Sequence, residues 1–211
     1  MYIKRIIFPT TSLAILKMEA EKDYSLFINN KESIADIQNG NHKSQIRKQQ
    51  LIGARYLLQE LIGNSTPYII EYTAHGKPYI KDTDWEISIS HTKEYIAIIL
   101  STCNKVGIDI EILDPRIIRI KDKFLRDDER AFINPNHFIE QLYIIWSAKE
   151  TLFKIYEKGE LLFIENLIIH PFEYSSKGII QAEINKGIHQ KTYSLNYERI
   201  DDLMMVYGLE D

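Results

Sequence analysis

Two short segments carry residues whose types and spacing suit chemistry on phosphate. Residues 105–112 read KVGIDIEI, in which Val106, Ile108, Ile110 and Ile112 alternate with Gly107, Asp109 and Glu111. Alternate side chains of a strand share a face. The segment therefore predicts a strand with four branched apolar residues in the core and two carboxylates side by side on the other face. Like charges that close repel unless something neutralises them, and a hard divalent cation held by oxygen ligands would do so. Gly107 beside them would let a ligand approach the backbone closely. Taken alone, the octapeptide is better accounted for by a half-exposed strand with a solvated acidic face, which is common in antiparallel sheets.

The second segment, residues 146–154, reads WSAKETLFK, and Phe138, Leu142 and Ile145 before it continue an apolar stripe. This spacing predicts an amphipathic helix. Glu150 and Lys154 lie i, i+4 on one face, and Trp146 and Lys149 pair similarly at i, i+3. Taken alone, Glu150 and Lys154 are a surface ion pair worth about 0.3–0.5 kcal/mol. Taken with the strand, Glu150 would complete a three-carboxylate magnesium site with Asp109 and Glu111. Lys154, one turn on, would neutralise phosphate charge. A metal on bridging oxygens and a cation for the leaving group are what phosphoryl chemistry needs.

Two turns offer further polar groups. Residues 86–91 read EISISH, placing Ser88 and Ser90 on one strand face with His91 at its end. Residues 75–78 read HGKP, a tight turn that projects Lys77. Lysine and histidine suit a phosphate; Gly-Lys-Pro is also an ordinary surface turn. No serine sits in a G-x-S-x-G elbow, and no P-loop G-x-x-x-x-G-K-[ST] is present.

These groups need a scaffold. Residues 2–8 read as a strand and 43–62 as a long helix, with Leu51, Ala54, Leu58 and Leu61 at helical spacing. Gly53 inside it costs about 1 kcal/mol relative to Ala, which points to close packing there. Strand-like runs follow at 67–72, 86–90, 95–101 and 105–112. The second half opens with helical segments around 116–133, breaks at Asn134-Pro135-Asn136, and continues as a helix over 137–156 that stops near Gly159. Strands close it near 161–169, 178–185, 190–197 and 202–207. Helix followed by strands in each half predicts an α+β fold, with halves 1–103 and 104–211.

Composition narrows the class. Of 211 residues, 45% are hydrophobic and 27% charged, as in soluble globular proteins. The formal net charge of −4 provides no global field toward nucleic acid or membrane, so an anion site must be built locally. One cysteine, Cys103, excludes an internal disulfide and fits a reducing compartment. The apolar stretch in MYIKRIIFPT is too short for a signal-peptide core, and the longest apolar run, Tyr95 to Leu100, is far below a membrane span. The expectation is a soluble, cytoplasmic protein.

HGKP, SISH, GIDIE and WSAKETLFK occur in an order that resembles the Sfp-type phosphopantetheinyl transferases. That family's pattern is a G-K-P turn, an N-[LI]-S-H-S segment, a G-[IV]-D-[ILV]-E strand and a W-x-x-K-E-x-x-x-K helix. The resemblance implies two similar α+β halves related by pseudo-twofold symmetry, usually a monomer, with coenzyme A in the cleft between them. It implies that Asp109, Glu111 and Glu150 hold magnesium, that Glu150 is the base for a carrier serine, and that Lys154 stabilises departing 3′,5′-ADP. Lys77 and His91 would contact coenzyme A phosphates, the segment around Ser90 would hold the nucleotide, and Trp146 and Lys149 would orient the helix. Two positions depart from the pattern. The S-H-S segment reads Ser90-His91-Thr92, preceded by Ser88 rather than Asn. Gln49 stands where many relatives carry a 3′-phosphate-binding arginine, and Arg47, Lys48 or Arg55 would substitute; their other reading is a solvated helix face.

Residues 114–126, DPRIIRIKDKFLR, hold five basic residues against two acidic ones. Such a patch would steer an acidic acyl or peptidyl carrier protein, or be merely a soluble helix. Two other function classes share these residue types. A metal-dependent nuclease or phosphodiesterase also uses carboxylates and lysines, but an E-x-K strand and a strong basic balance are missing. A non-catalytic coenzyme A- or carrier-binding module would not need all of Asp109, Glu111, Glu150 and Lys154.

Overall fold

The computed structural model describes residues 2–29, 31, 34, 35, 37, 44–63 and 68–210. The chain divides into two compact units, Met1–Lys105 and Val106–Asp211. Each combines helix with antiparallel sheet, and the α+β class holds.

The first unit contains β1 (Tyr2–Ile7), β2 (Thr11–Lys17), α1 (Gln45–Ile62), β3 (Ile70–Tyr72), β4 (Pro78–Ile80), β5 (Glu86–Thr92) and β6 (Tyr95–Ser101). Four strands form an antiparallel sheet ordered β1-β2-β6-β5, and β3 pairs with β4. Ser44 caps α1, its Oγ accepting from Arg47 N–H at 3.1 Å. Ala54, Leu57 and Leu58 of α1 are buried with Leu16 of β2 and Ile96 and Ile98 of β6. A Cβ on Gly53 would fall 2.4 Å from Ile96 Cδ1 and 2.8 Å from Met18 Sδ, so the helix seats closely on the sheet there. Residue 43 of the expected helix and residue 67 of the expected strand lie outside the described residues. The sequence reading passes over β2 and β4. In β2, Leu13 to Leu16 are all buried, and a strand covered on both faces shows no alternation to read.

The second unit contains β7 (Lys105–Ile112), α2 (Asp127–Arg130), α3 (Phe138–Tyr156), α4 (Phe163–Asn166), β8 (Leu167–Ile169), β9 (Lys177–Lys186), β10 (His189–Ile200) and β11 (Leu203–Glu210). Its sheet is ordered β7-β11-β10-β9-β8, and β8 to β11 form an antiparallel meander. The apolar face of α3, including Leu142, Ile145, Ala148 and Leu152, packs with Leu195, Met204 and Val206. The helix ends one residue before Glu157, which takes a left-handed φ of 61°. Two expectations are corrected. The helical stretch around 116–133 is two 3-10 turns, Pro115–Arg119 and Lys121–Lys123, followed by the single turn of α2. The expected strand at 161–169 begins instead with α4 and is extended only over β8.

Candidate active site

The site begins where α3 crosses β7. A Cβ on Gly107 would lie 2.5 Å from Thr151 O and 2.8 Å from Ile155 Cγ1. The close approach that glycine permits is therefore made by the helix, not by a ligand as the sequence suggested. The helix covers the face of β7 that carries Gly107, Asp109 and Glu111. Asp109 is 5% exposed, so the alternative of a solvated acidic face fails for it. A backbone carbonyl cannot swing away from an added methyl group. Gly107→Ala is expected to destabilise the fold by about 1–3 kcal/mol in urea unfolding, the usual cost of overpacking; wild-type stability would mean that α3 sits off β7.

This crossing brings the predicted groups together. Lys154 Nζ donates to Ile108 O at 2.7 Å and to Asp109 Oδ1 at 2.9 Å. Lys154 thus bonds across to the strand rather than forming a simple pair along its own helix. Trp146 Nε1 donates to Glu111 Oε1 at 3.3 Å, so the tryptophan steadies the second strand carboxylate. Burial and then the Asp109 charge push the Glu150 carboxyl up to about 7, with Lys154 opposing and Glu111 adding to the rise. Three carboxyls and one ammonium therefore share one electrostatic environment. The donor chemistry, oxygen only and rich in carboxylate, fits a hard divalent cation. As arranged, Asp109 is engaged by Lys154, and among the described residues no three His, Cys, Asp or Glu side chains form a ligating group.

Lys149, adjacent to Glu150, points the other way. Its Nζ donates to Phe124 O at 2.6 Å, Glu129 Oε2 at 2.8 Å and Phe163 O at 3.1 Å. Glu129 also accepts from Arg126 N–H at 2.9 Å and from Ile169 N–H at 2.9 Å. The Lys149 and Glu129 side chains are 0% and 1% exposed. Burial lowers the Lys149 pKa to about 8, against the pull of Glu129. This buried hub ties α3 to α2, to β8 and to the segments around Phe124 and Phe163. Glu129 was not singled out from the sequence; the one local signal was its position three residues after Arg126, where a carboxylate can reach back to a helix start.

In the first unit, the Arg47 guanidinium meets His91 Nε2, so Arg47 is the basic residue of α1 that the fold sets beside the histidine. Arg55 is buried, with its guanidinium 3.5 Å from Tyr72 Oη. Ser90 is buried within β5. Lys77 Nζ pairs with Glu86 Oε2 at 2.8 Å. Glu86 and His91 sit at opposite ends of β5, about 17 Å apart along a strand, so Lys77 and His91 are not neighbours. A cavity of about 940 Å³ in this unit is lined by Lys17, Lys22, Lys48, Gln49 and Lys93, among others, and by none of Arg47, Lys77, Ser90 or His91.

The basic stretch after β7 is laced with its own carboxylates. Arg116 pairs with Asp114 at 2.7 Å, Lys121 with Asp122 at 3.0 Å and Arg126 with Asp128 at 2.9 Å. The local positive excess is thus smaller at the surface than the run of residues suggests.

Residues 105–203 match the family model of the 4′-phosphopantetheinyl transferase superfamily. This segment, just under half of the chain, is similar to that superfamily. The match starts at β7 and reaches the start of β11, so it contains Asp109, Glu111, Glu150 and Lys154. Among curated relatives, the 4′-phosphopantetheinyl transferase gsp of Aneurinibacillus migulanus is 28% identical over 123 residues, 57% of this chain and 51% of the relative. A Bacillus subtilis 4′-phosphopantetheinyl transferase is 28% identical over 59% of this chain and 55% of the relative. The 4′-phosphopantetheinyl transferase AcpT of Escherichia coli O157:H7 is 29% identical over 51% of this chain and 57% of the relative. The chain thus spans about half the length of the curated relatives it matches. No helix among the described residues is long and apolar enough to cross a membrane.

Proposed function

We propose that this protein moves the 4′-phosphopantetheine arm of coenzyme A onto a serine of an apo acyl or peptidyl carrier protein, with magnesium, and releases 3′,5′-ADP. The observation that carries this reading is the gathering of Asp109, Glu111, Glu150 and Lys154 at one helix–strand crossing inside the superfamily match. Asp109, Glu111 and Glu150 are the residues that would hold magnesium, which when bound supplies charge neutralisation at the diphosphate. Trp146 fixes Glu111 for that task. Glu150 takes the proton of the serine hydroxyl, directly or through one water. The serine Oγ–phosphorus bond forms as the phosphorus–oxygen bond to 3′,5′-ADP breaks, and Lys154 stabilises the negative charge that leaves. Arg47, Ser90, His91 and Lys77 are assigned to binding the phosphates and nucleotide of coenzyme A. The reading includes a monomer that works in the cytoplasm, without nucleic acid or membrane as a partner.

The test is incubation with coenzyme A, magnesium and a panel of apo carriers, followed by intact mass. A carrier that gains one phosphopantetheine, only when magnesium is present, is the expected result. Coenzyme A binding without transfer to any carrier would replace the enzyme by a binding module.

A further inference from the structure

Two lysines on α3, five positions apart, are held in opposite ways. Lys149 is 0% exposed, and its ammonium has three acceptors, two of them backbone carbonyls. Lys154 has a side chain 23% exposed and makes two hydrogen bonds, to Ile108 O and to Asp109 Oδ1, a carboxylate 6% exposed. Lys149 is locked. Lys154 lies at the site's edge, on a flexible four-carbon stem whose compact ammonium can turn to another anion.

The position Lys154 holds is the informative part. A nearly buried carboxylate without a countercharge is costly. Asp109 has its countercharge from the chain itself, at a distance of 2.9 Å. That carboxylate is also one of the three oxygen donors assigned above to a divalent ion. Lys154 sits on Asp109 Oδ1, and a divalent ion on the same carboxylate would lie within a few ångströms of that ammonium, so the repulsion of two positive charges weakens whichever binds second.

We infer that Lys154 is a built-in stand-in for the divalent cation: its ammonium competes with the ion for Asp109, and it turns outward to the phosphate when the ion binds. The inference rests on the metal reading of the site. It gives Lys154 two successive partners, Asp109 before the ion binds and the substrate's phosphate oxygens afterwards. It also makes apparent magnesium affinity weaker than the intrinsic affinity, by the fraction of molecules in which Asp109 is free of Lys154.

The experiment uses the full chain and magnesium alone, without coenzyme A or carrier. In the wild-type protein, acetylation of Lys154 is followed by peptide mass spectrometry with magnesium and with EDTA. In parallel, magnesium affinity is measured calorimetrically for wild type, Lys154→Gln, Asp109→Asn and the double variant. Lys154 is expected to be labelled several-fold faster with magnesium. Lys154→Gln is expected to bind magnesium about tenfold more tightly, as for a site about one-tenth competent, and the gain is expected to vanish in the Asp109→Asn background. Unchanged or slower labelling, equal affinity in wild type and Lys154→Gln, or a gain that persists without Asp109 would overturn the competition while leaving the metal site standing. Magnesium binding by neither wild type nor Lys154→Gln would remove the metal site and the competition together.

Discussion

Glu150→Gln is expected to cut transfer by roughly a thousandfold and, in metal-free buffer at pH 8, to make the fold more stable by on the order of 1–3 kcal/mol. Both effects have one cause. Burial, Asp109 and Glu111 raise the Glu150 carboxyl from 4.5 to about 7, with Lys154 in partial opposition. The folded state therefore binds this proton more tightly than the unfolded chain does. The associated stability is complete below about pH 4.5 and is lost as pH rises through about 7. Above that, an ionised Glu150 is a net cost that a neutral amide of the same shape removes. Urea unfolding with EDTA present should show the variant ahead of wild type at pH 8 and level with it at pH 5. Equal stability at pH 8 would mean that the negative charge is not crowded at this crossing. Retained transfer would mean that the carboxylate is not used.

Lys149→Met carries the second large effect, a loss of about 3–5 kcal/mol in stability, the usual cost of stripping one partner from a buried pair. Met matches the length of the stem but leaves Glu129, 1% exposed, with no ammonium. It also strips a donor from Phe124 O and Phe163 O. Against a typical total of about 5–15 kcal/mol, the loss would be plain in a thermal scan. Removing the stranded charge as well, with Glu129→Leu in the same chain, should recover at least about 1 kcal/mol, because contacting residues are not additive. A double variant that loses the sum of two single losses would show that the pair is not coupled.

How far the sequence exposed this arrangement depended on the range of each signal. Alternation in residues 105–112 identified β7 and put Asp109 beside Glu111, because strand geometry is local. The i, i+4 spacing put Glu150 and Lys154 on one helical face for the same reason. Neither pattern could say that α3 would lie over the carboxylate face, since that depends on Gly107 meeting Thr151, more than forty positions away. The same gap hid the true partner of Lys154, which is Asp109. Lys77 looked available in a turn because its partner, Glu86, opens β5, beyond the intervening β4. Glu129 looked like one more surface acid in a charged run, yet it is the anchor for Lys149. The continuous apolar stretch of β2 gave no period to read.

The order of the second sheet, β7-β11-β10-β9-β8, sets a timetable for assembly. β8 to β11 join neighbours in sequence, and such local hairpins close early. β7 must instead find β11 across the 90 residues between Ile112 and Leu203, a closure costing about 4 kcal/mol in chain entropy. The strand that bears Asp109 and Glu111 is thus among the last to dock. A newly made chain would gain most of its shape before it gains any capacity for chemistry, and a nascent protein would be inert until β11 has taken β7 beside it.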